Sequence, residues 1–213
     1  MIATKICGIT RKEDALLTTE LGAAAVGFVF YSGSPRYIAP EQAAGIIEAL
    51  PSGIAKVGVF VNEGARRISA TARVAGLTMV QLSGDESPAD CAGLDLPVIK
   101  TFHVNSQINS LPMDDYPVQA TLLDTSVPGK YGGTGQPFEW SQVNRAAITL
   151  PLIASGGLNP DNVLDAVEVL QPDAIDLSSG VETAPGQKDA EKLRRLFAIL
   201  QDCKPGERPV FRS

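Results

Sequence analysis

Eight short apolar runs recur along the 213-residue chain, each followed by a more polar stretch, and this alternation narrows the folds open to it. The runs are Thr4 to Ile9, Ala24 to Phe30, Ala55 to Val61, Thr78 to Ser83, Pro97 to Val104, Gln119 to Thr125, Leu152 to Ser155 and Ala174 to Ser178. Runs apolar on both faces are what strands of a parallel sheet look like when helices cover them. Helical spacing of apolar residues is clearest at Arg11 to Leu21, Pro40 to Leu50, Ala65 to Val74, Asn159 to Leu170 and Asp189 to Leu200, and weaker after strands four, five and six. Eight evenly spaced strand-helix units predict a closed parallel (β/α)₈ barrel, the TIM barrel, in preference to an open doubly wound sheet. The length lies near the lower bound of roughly 200 residues for that fold. One catalytic domain is expected over residues 1–203, followed by a tail at 204–213 whose proline and charge suggest looseness.

Composition excludes several functions. With 24 acidic against 18 basic side chains the net charge is -6, which disfavours nucleic acid and anionic membrane as partners, since both call for basic surfaces. Cys7, Cys91 and Cys203 lie far apart and share the chain with one histidine, His103. They offer neither zinc-ligand spacing nor a disulfide framework, so no metal site and a reduced, cytoplasmic setting are expected. The N-terminus lacks the apolar segment of a signal peptide, and no run approaches the roughly 18 apolar residues of a membrane span. Oligomeric state is not legible at this level.

In a parallel barrel every strand ends at the same mouth, so residues distant in sequence converge there. Strand one ends at Cys7, before Gly8 and a helix start whose dipole favours a thiolate. The residue reads as a base or nucleophile, or as a small buried hydrophobe. Strand six ends at Asp124, a carboxyl whose partial burial would raise its proton affinity, or else a turn aspartate. The loops after strands seven and eight carry Gly156, Gly157, Ser179 and Gly180. Small residues at those two positions suit a phosphate site, although glycine is common in turns anyway. Arg36, in the loop after strand two, can hold a planar carboxylate or lie solvated. His103 is at the same face without a visible partner and reads as structural.

The order and spacing of these segments resemble the phosphoribosylanthranilate isomerase family over nearly the whole barrel. The likeness rests on Lys5-Ile6-Cys7-Gly8-Ile9-Thr10, Gly27-Phe28-Val29-Phe30 with Ser34-Pro35-Arg36, and Lys56 to Asn62. It continues through Leu123-Asp124-Thr125 with Gly132-Gly133-Thr134-Gly135 and Phe138-Glu139-Trp140, then Ser155-Gly156-Gly157-Leu158, and Asp176 to Glu182. The resemblance implies Cys7 as general base, Asp124 as general acid and Arg36 as ligand of an anthranilate carboxylate. It implies a small-molecule phosphoribosyl substrate and a reaction without metal or cofactor, because the substrate's own imine serves as electron sink. One departure is visible: the family often has histidine where this chain has Ser83. Altered substrate contacts or kinetics, and retained activity, are expected from it.

Rival readings stay on the same barrel or leave catalysis altogether. An indoleglycerol phosphate synthase would call for a lysine acid and glutamate base at the mouth, and a pentose phosphate epimerase for paired aspartates or a metal set. A noncatalytic phosphate-binding regulator would keep the fold without turnover. Cys7 and Asp124 together favour the isomerase.

Overall fold

A computed structural model of the chain describes residues 1–104, 111–125, 139–204 and 206–211. The eight runs are parallel strands in a closed barrel, paired in chain order. They are β1 (Ala3–Ile6), β2 (Ala25–Val29), β3 (Ala55–Phe60), β4 (Met79–Leu82), β5 (Val98–Val104), β6 (Ala120–Thr125), β7 (Leu152–Ala154) and β8 (Ala174–Leu177). Closure comes from β1 pairing with β8, Ala3 opposite Ala174 and Ile6 opposite Leu177.

Alternation along each strand separates two apolar layers. One set, including Val26, Phe28, Val80, Leu82 and Ile175, packs outward against the helices. The other, including Ala25, Val57, Met79, Ile99, Leu122 and Ile153, fills the lower barrel. Farther up, the inward positions turn polar: Lys5 and Asp176, then Cys7 and Asp124 at the mouth. The apolar floor thus makes the barrel, and the polar upper layers make the site.

Helices α1 (Lys12–Glu20), α2 (Pro40–Ile47), α3 (Ala65–Ala75), α5 (Val163–Leu170) and α6 (Ala190–Leu200) match the clear helical patterns. Helix α4 after β4 is only Pro88–Ala92, started by Ser87, whose hydroxyl accepts from the Asp90 N–H. The helices expected after β5 and β6 are not found among the described residues. Met113–Asp115 forms a 3-10 turn, bracketed by Pro112 and Pro117, which block extension on both sides. Trp140–Gln142 and Arg145–Ala147 form two more, although Trp140, Val143 and Ala147 keep helical spacing. No described helix is long and apolar enough to cross a membrane.

The tail segment 206–211, expected to hang loose, packs beneath the barrel. Val210 is 1% exposed and joins the lower core with Phe211 beside it. Asp173, buried at the foot of β8, accepts from the backbone N–H groups of Leu152 and Arg208 and pairs with the guanidinium groups of Arg145 and Arg208. Proline and charge in the tail suggest looseness, but Asp173 at the barrel floor holds Arg208 through its backbone N–H and its guanidinium.

Candidate active site

Cys7 follows the last residue of β1. Its N–H donates to the Leu177 carbonyl of β8 (2.8 Å), which carries the barrel ladder one residue past the strand end. The side chain is buried beside Gly27 of β2, where a β-carbon would come within 2.8 Å of Cys7 Sγ and 3.0 Å of Lys5 Cε. Glycine there leaves room for the thiol and for the lysine that climbs past it. Burial pushes the Cys7 thiol above its ordinary pKa, while the charges of Lys5 and Lys188 pull it down. Burial prevails over these two ammonium charges, and the helix that follows begins at Lys12.

Lys5 lies inside the barrel with Nζ 2.8 Å from Asp176 Oδ2. Burial works against the ammonium, but Asp176 and Cys7 outweigh it and raise its pKa. Asp176 beside it favours the ammonium in a place where a lone lysine would tend to lose its proton, while burial pushes the Asp176 carboxyl itself up.

Asp124, at the end of β6, borders the same cavity as Cys7, a space of about 370 Å³ at the C-terminal mouth. Desolvation raises its pKa; His103, its cross-strand neighbour on β5, and the Thr125 N–H donating to Oδ1 (2.8 Å) act in the other direction. A carboxyl that holds its proton more tightly than usual, facing a thiol across one cavity, can work as an acid opposite a base.

His103 donates from Nε2 to the Ser83 carbonyl (2.9 Å), and so ties β5 to the loop after β4. Ser83 itself borders the cavity. Its hydroxyl lies 2.9 Å from the Thr101 hydroxyl and accepts from Gln81 Nε2 (3.1 Å). Where the resemblance leads one to expect an imidazole, a serine-threonine-glutamine cluster closes that wall.

Arg36 lines the cavity too, but not as a free loop residue. It is 9% exposed and forks onto Glu182, Nε and Nη2 reaching the carboxylate at 3.0 Å and 2.7 Å. Of the residues expected to hold phosphate, Gly156, Gly157 and Ser179 line the cavity, whereas Gly180 does not. Gly180 presses against the Leu158 carbonyl, where a side chain would collide, so its smallness serves loop packing. Gly156 and Gly157 both have positive φ, 84° and 70°, which glycine adopts without strain. The segments at Gly132 to Gly135 and Phe138 lie outside the described residues. Among the described residues no group of three or more His, Cys, Asp or Glu side chains could hold a metal ion.

Sequence reasoning missed Lys5, Asp176, Glu182 and Lys188 as parts of the site. The signal was there for the first two: a charged residue inside the otherwise apolar Ala3 to Ile6 and Ala174 to Leu177 runs implies a buried partner.

A closed parallel barrel whose strand ends gather a thiol, a carboxyl and glycine loops around one cavity is a (β/α)₈-barrel enzyme with its site at the usual face. The comparisons narrow this class. The family model described as N-(5'phosphoribosyl)anthranilate (PRA) isomerase matches residues 4–198. The N-(5'-phosphoribosyl)anthranilate isomerase of Pelobacter propionicus is 47% identical over 204 residues, 96% of this chain and 98% of that protein. The crystal structure of phosphoribosyl anthranilate isomerase from Thermus thermophilus superposes with a TM-score of 0.87 at 43% identity, covering 95% of this chain and all of that one. A phosphoribosyl anthranilate isomerase solved in complex with reduced 1-(o-carboxyphenylamino)-1-deoxyribulose 5-phosphate gives a TM-score of 0.82 at 41% identity, covering 92% of this chain and 97% of that one. The chain belongs to the phosphoribosylanthranilate isomerase family.

Proposed function

We propose that the chain converts N-(5-phosphoribosyl)anthranilate to 1-(2-carboxyphenylamino)-1-deoxyribulose 5-phosphate, the Amadori rearrangement of tryptophan biosynthesis, with Asp124 as general acid and Cys7 as general base. The observation that carries this reading is that both groups border one cavity, Cys7 just past the end of β1 and Asp124 near the end of β6 of a family barrel. Asp124 in its protonated form gives its proton to the furanose ring oxygen, the ring opens, and an imine conjugated to the anthranilate nitrogen remains. Cys7 as thiolate then removes the C2′ proton, and the resulting enolamine tautomerises to the ketone. The reaction is an isomerisation, so each proton removed has a place to return.

Burial raises the proton affinity of both groups, which favours the protonated carboxyl and disfavours the thiolate. Lys5 and Lys188 oppose the second effect, and Lys5 also draws the Asp124 carboxyl down. The loops at Gly156, Gly157 and Ser179 suit the 5-phosphate, because small residues let backbone N–H groups approach an anion. Holding the phosphate fixes the reacting carbons between acid and base, so that binding at a remote group lowers the barrier. Arg36 suits the anthranilate carboxylate.

The test is direct. With phosphoribosylanthranilate generated in situ, the protein is expected to form the ketone product, followed chromatographically so that spontaneous hydrolysis to anthranilate does not obscure it. A folded protein that binds the reduced product and forms no ketone would support the regulator reading instead.

A further inference from the structure

Arg36 has five N–H donors, and Glu182 takes those on Nε and one on Nη2. An arginine paired with a buried glutamate is electrically neutral as a unit, a poor receptor for another carboxylate. The structure supplies the missing charge. Lys188 sends Nζ to Glu182 Oε1 (2.8 Å), to the Cys7 carbonyl (2.6 Å) and to the Ser178 carbonyl (3.3 Å). Burial pushes the Lys188 pKa below its ordinary value and Glu182 pulls it back up, but three acceptors around one nitrogen call for three N–H donors, which only the ammonium form has. Glu182 is held ionised: burial pushes its pKa up, but Arg36 and Lys188 outweigh that and keep it low. Two cations against one carboxylate leave the cluster with a single positive charge beside the cavity.

Geometry fixes the direction in which that charge is offered. The two residues face each other in a short antiparallel ribbon, β9 (Glu182–Ala184) and β10 (Gln187–Lys188), with Lys188 opposite Glu182. The Gly186 N–H between them donates to Glu182 Oε1 (3.2 Å). On the far side, Gly8 has a φ of 75° and lies under the arginine, where a β-carbon would come within 2.5 Å of Arg36 Cδ. The guanidinium is clamped between the end of β1 and the ribbon. Among the described residues Nη1 has no partner, and Arg36 lines the cavity.

We infer that Glu182 and Lys188 are positioning residues that turn Arg36 into a carboxylate receptor: Glu182 sets the plane of its guanidinium, and Lys188 restores the net charge that Glu182 would otherwise cancel. The inference rests on Arg36 as the carboxylate ligand. Through the Cys7 carbonyl, Lys188 also ties this receptor to the strand end that carries the base.

Two ligands separate the parts of the claim: reduced 1-(o-carboxyphenylamino)-1-deoxyribulose 5-phosphate and its counterpart with an unsubstituted phenylamino ring. The wild-type protein is expected to bind the carboxylated ligand about tenfold or more tightly than the other, the scale of a charge-assisted contact, and Arg36→Met to lose that preference. Absence of any preference in the wild type would remove the Arg36 reading itself. Given the preference, Glu182→Gln and Lys188→Met are expected to weaken the carboxylated ligand by about tenfold while leaving the phenylamino ligand within about twofold. Lys188→Arg, which keeps the charge, should restore most of the preference. If these variants bind both ligands as the wild type does, or weaken both equally, Glu182 and Lys188 are merely structural. Should Glu182→Gln fail to fold, the contrast between Lys188→Met and Lys188→Arg decides alone.

Discussion

Cys7 and Asp124 are both harder to ionise than in water, and the consequence is a pH dependence opposite to first intuition. Full burial raises a carboxyl by up to about 3–5 pH units. Burial raises both groups, and a carboxyl starts several pH units below a thiol in water, so Asp124 is taken to ionise first. As pH rises from acid, the first proton lost comes mostly from Asp124, yet the productive species is the minor one in which Cys7 has lost it and Asp124 has not. The profile of kcat/KM should therefore climb through the pKa of Asp124 and fall through that of Cys7, the acid group setting the acid limb. Lys5→Met removes a charge that favours the thiolate, so the basic limb is expected to move to higher pH and the plateau to drop. It also leaves Asp176 unpaired in the barrel, at about 3–5 kcal/mol, so it is measured alongside a thermal melt. An unmoved basic limb in a folded Lys5→Met protein would end the role given to that ammonium. Cys7 and Asp124 stand out in the sequence because each lies at a strand end, and Arg36 because it follows one in a loop; all three border the cavity. Glu182 and Lys188 were not, since nothing in the spacing tells which loop arginine they meet.

At the scale of elements, the eight strands were read with little error because burial on both faces leaves an unbroken apolar signal. The failures among the described residues came where covering elements are short: Pro112 and Pro117 hold Met113–Asp115 to one turn, and α4 is five residues long. Helix α6 illustrates a cap that the sequence announces. Asp189 accepts from the N–H groups of Glu191 (3.0 Å) and Lys192 (3.1 Å), and Leu193, Leu196, Phe197 and Leu200 lie on its buried face. Asp189→Ala should cost about 1 kcal/mol, with Asp189→Asn recovering most of it, in urea unfolding monitored by circular dichroism. Equal loss in both variants would point to charge instead of capping. Gly180 belongs at this scale too. Any side chain there meets the Leu158 carbonyl, so Gly180→Ala should separate the loops after β7 and β8 and raise KM for the phosphorylated substrate. An unchanged KM in that variant would show that the two loops need not touch to hold the phosphate.

Across the whole molecule, the two ends of the barrel divide the labour. The mouth carries charge, burying cations and carboxylates that an apolar core would exclude. The floor is apolar and is sealed by the tail, with Val210 against the lower core and Asp173 gathering Arg145, Arg208 and two backbone donors. Val210→Ala should cost about 1–2 kcal/mol, from the methyl groups withdrawn from a buried site. That corresponds to a fall in Tm of roughly 2–8 °C for a chain of this size, with kcat/KM at 25 °C unchanged because the site lies at the other end. A loss of turnover without loss of stability would mean that the two ends communicate. The central claim, however, is that Cys7 and Asp124 act as a pair in the rearrangement. The measurement that meets it most directly is kcat for ketone formation in purified, folded Cys7→Ser and Asp124→Asn proteins, against the wild type. Each is expected to fall by at least about a hundredfold, the scale of losing a positioned acid or base. Near-wild-type turnover in either variant would contradict the pair and send the search for its partner back to the other groups at the mouth.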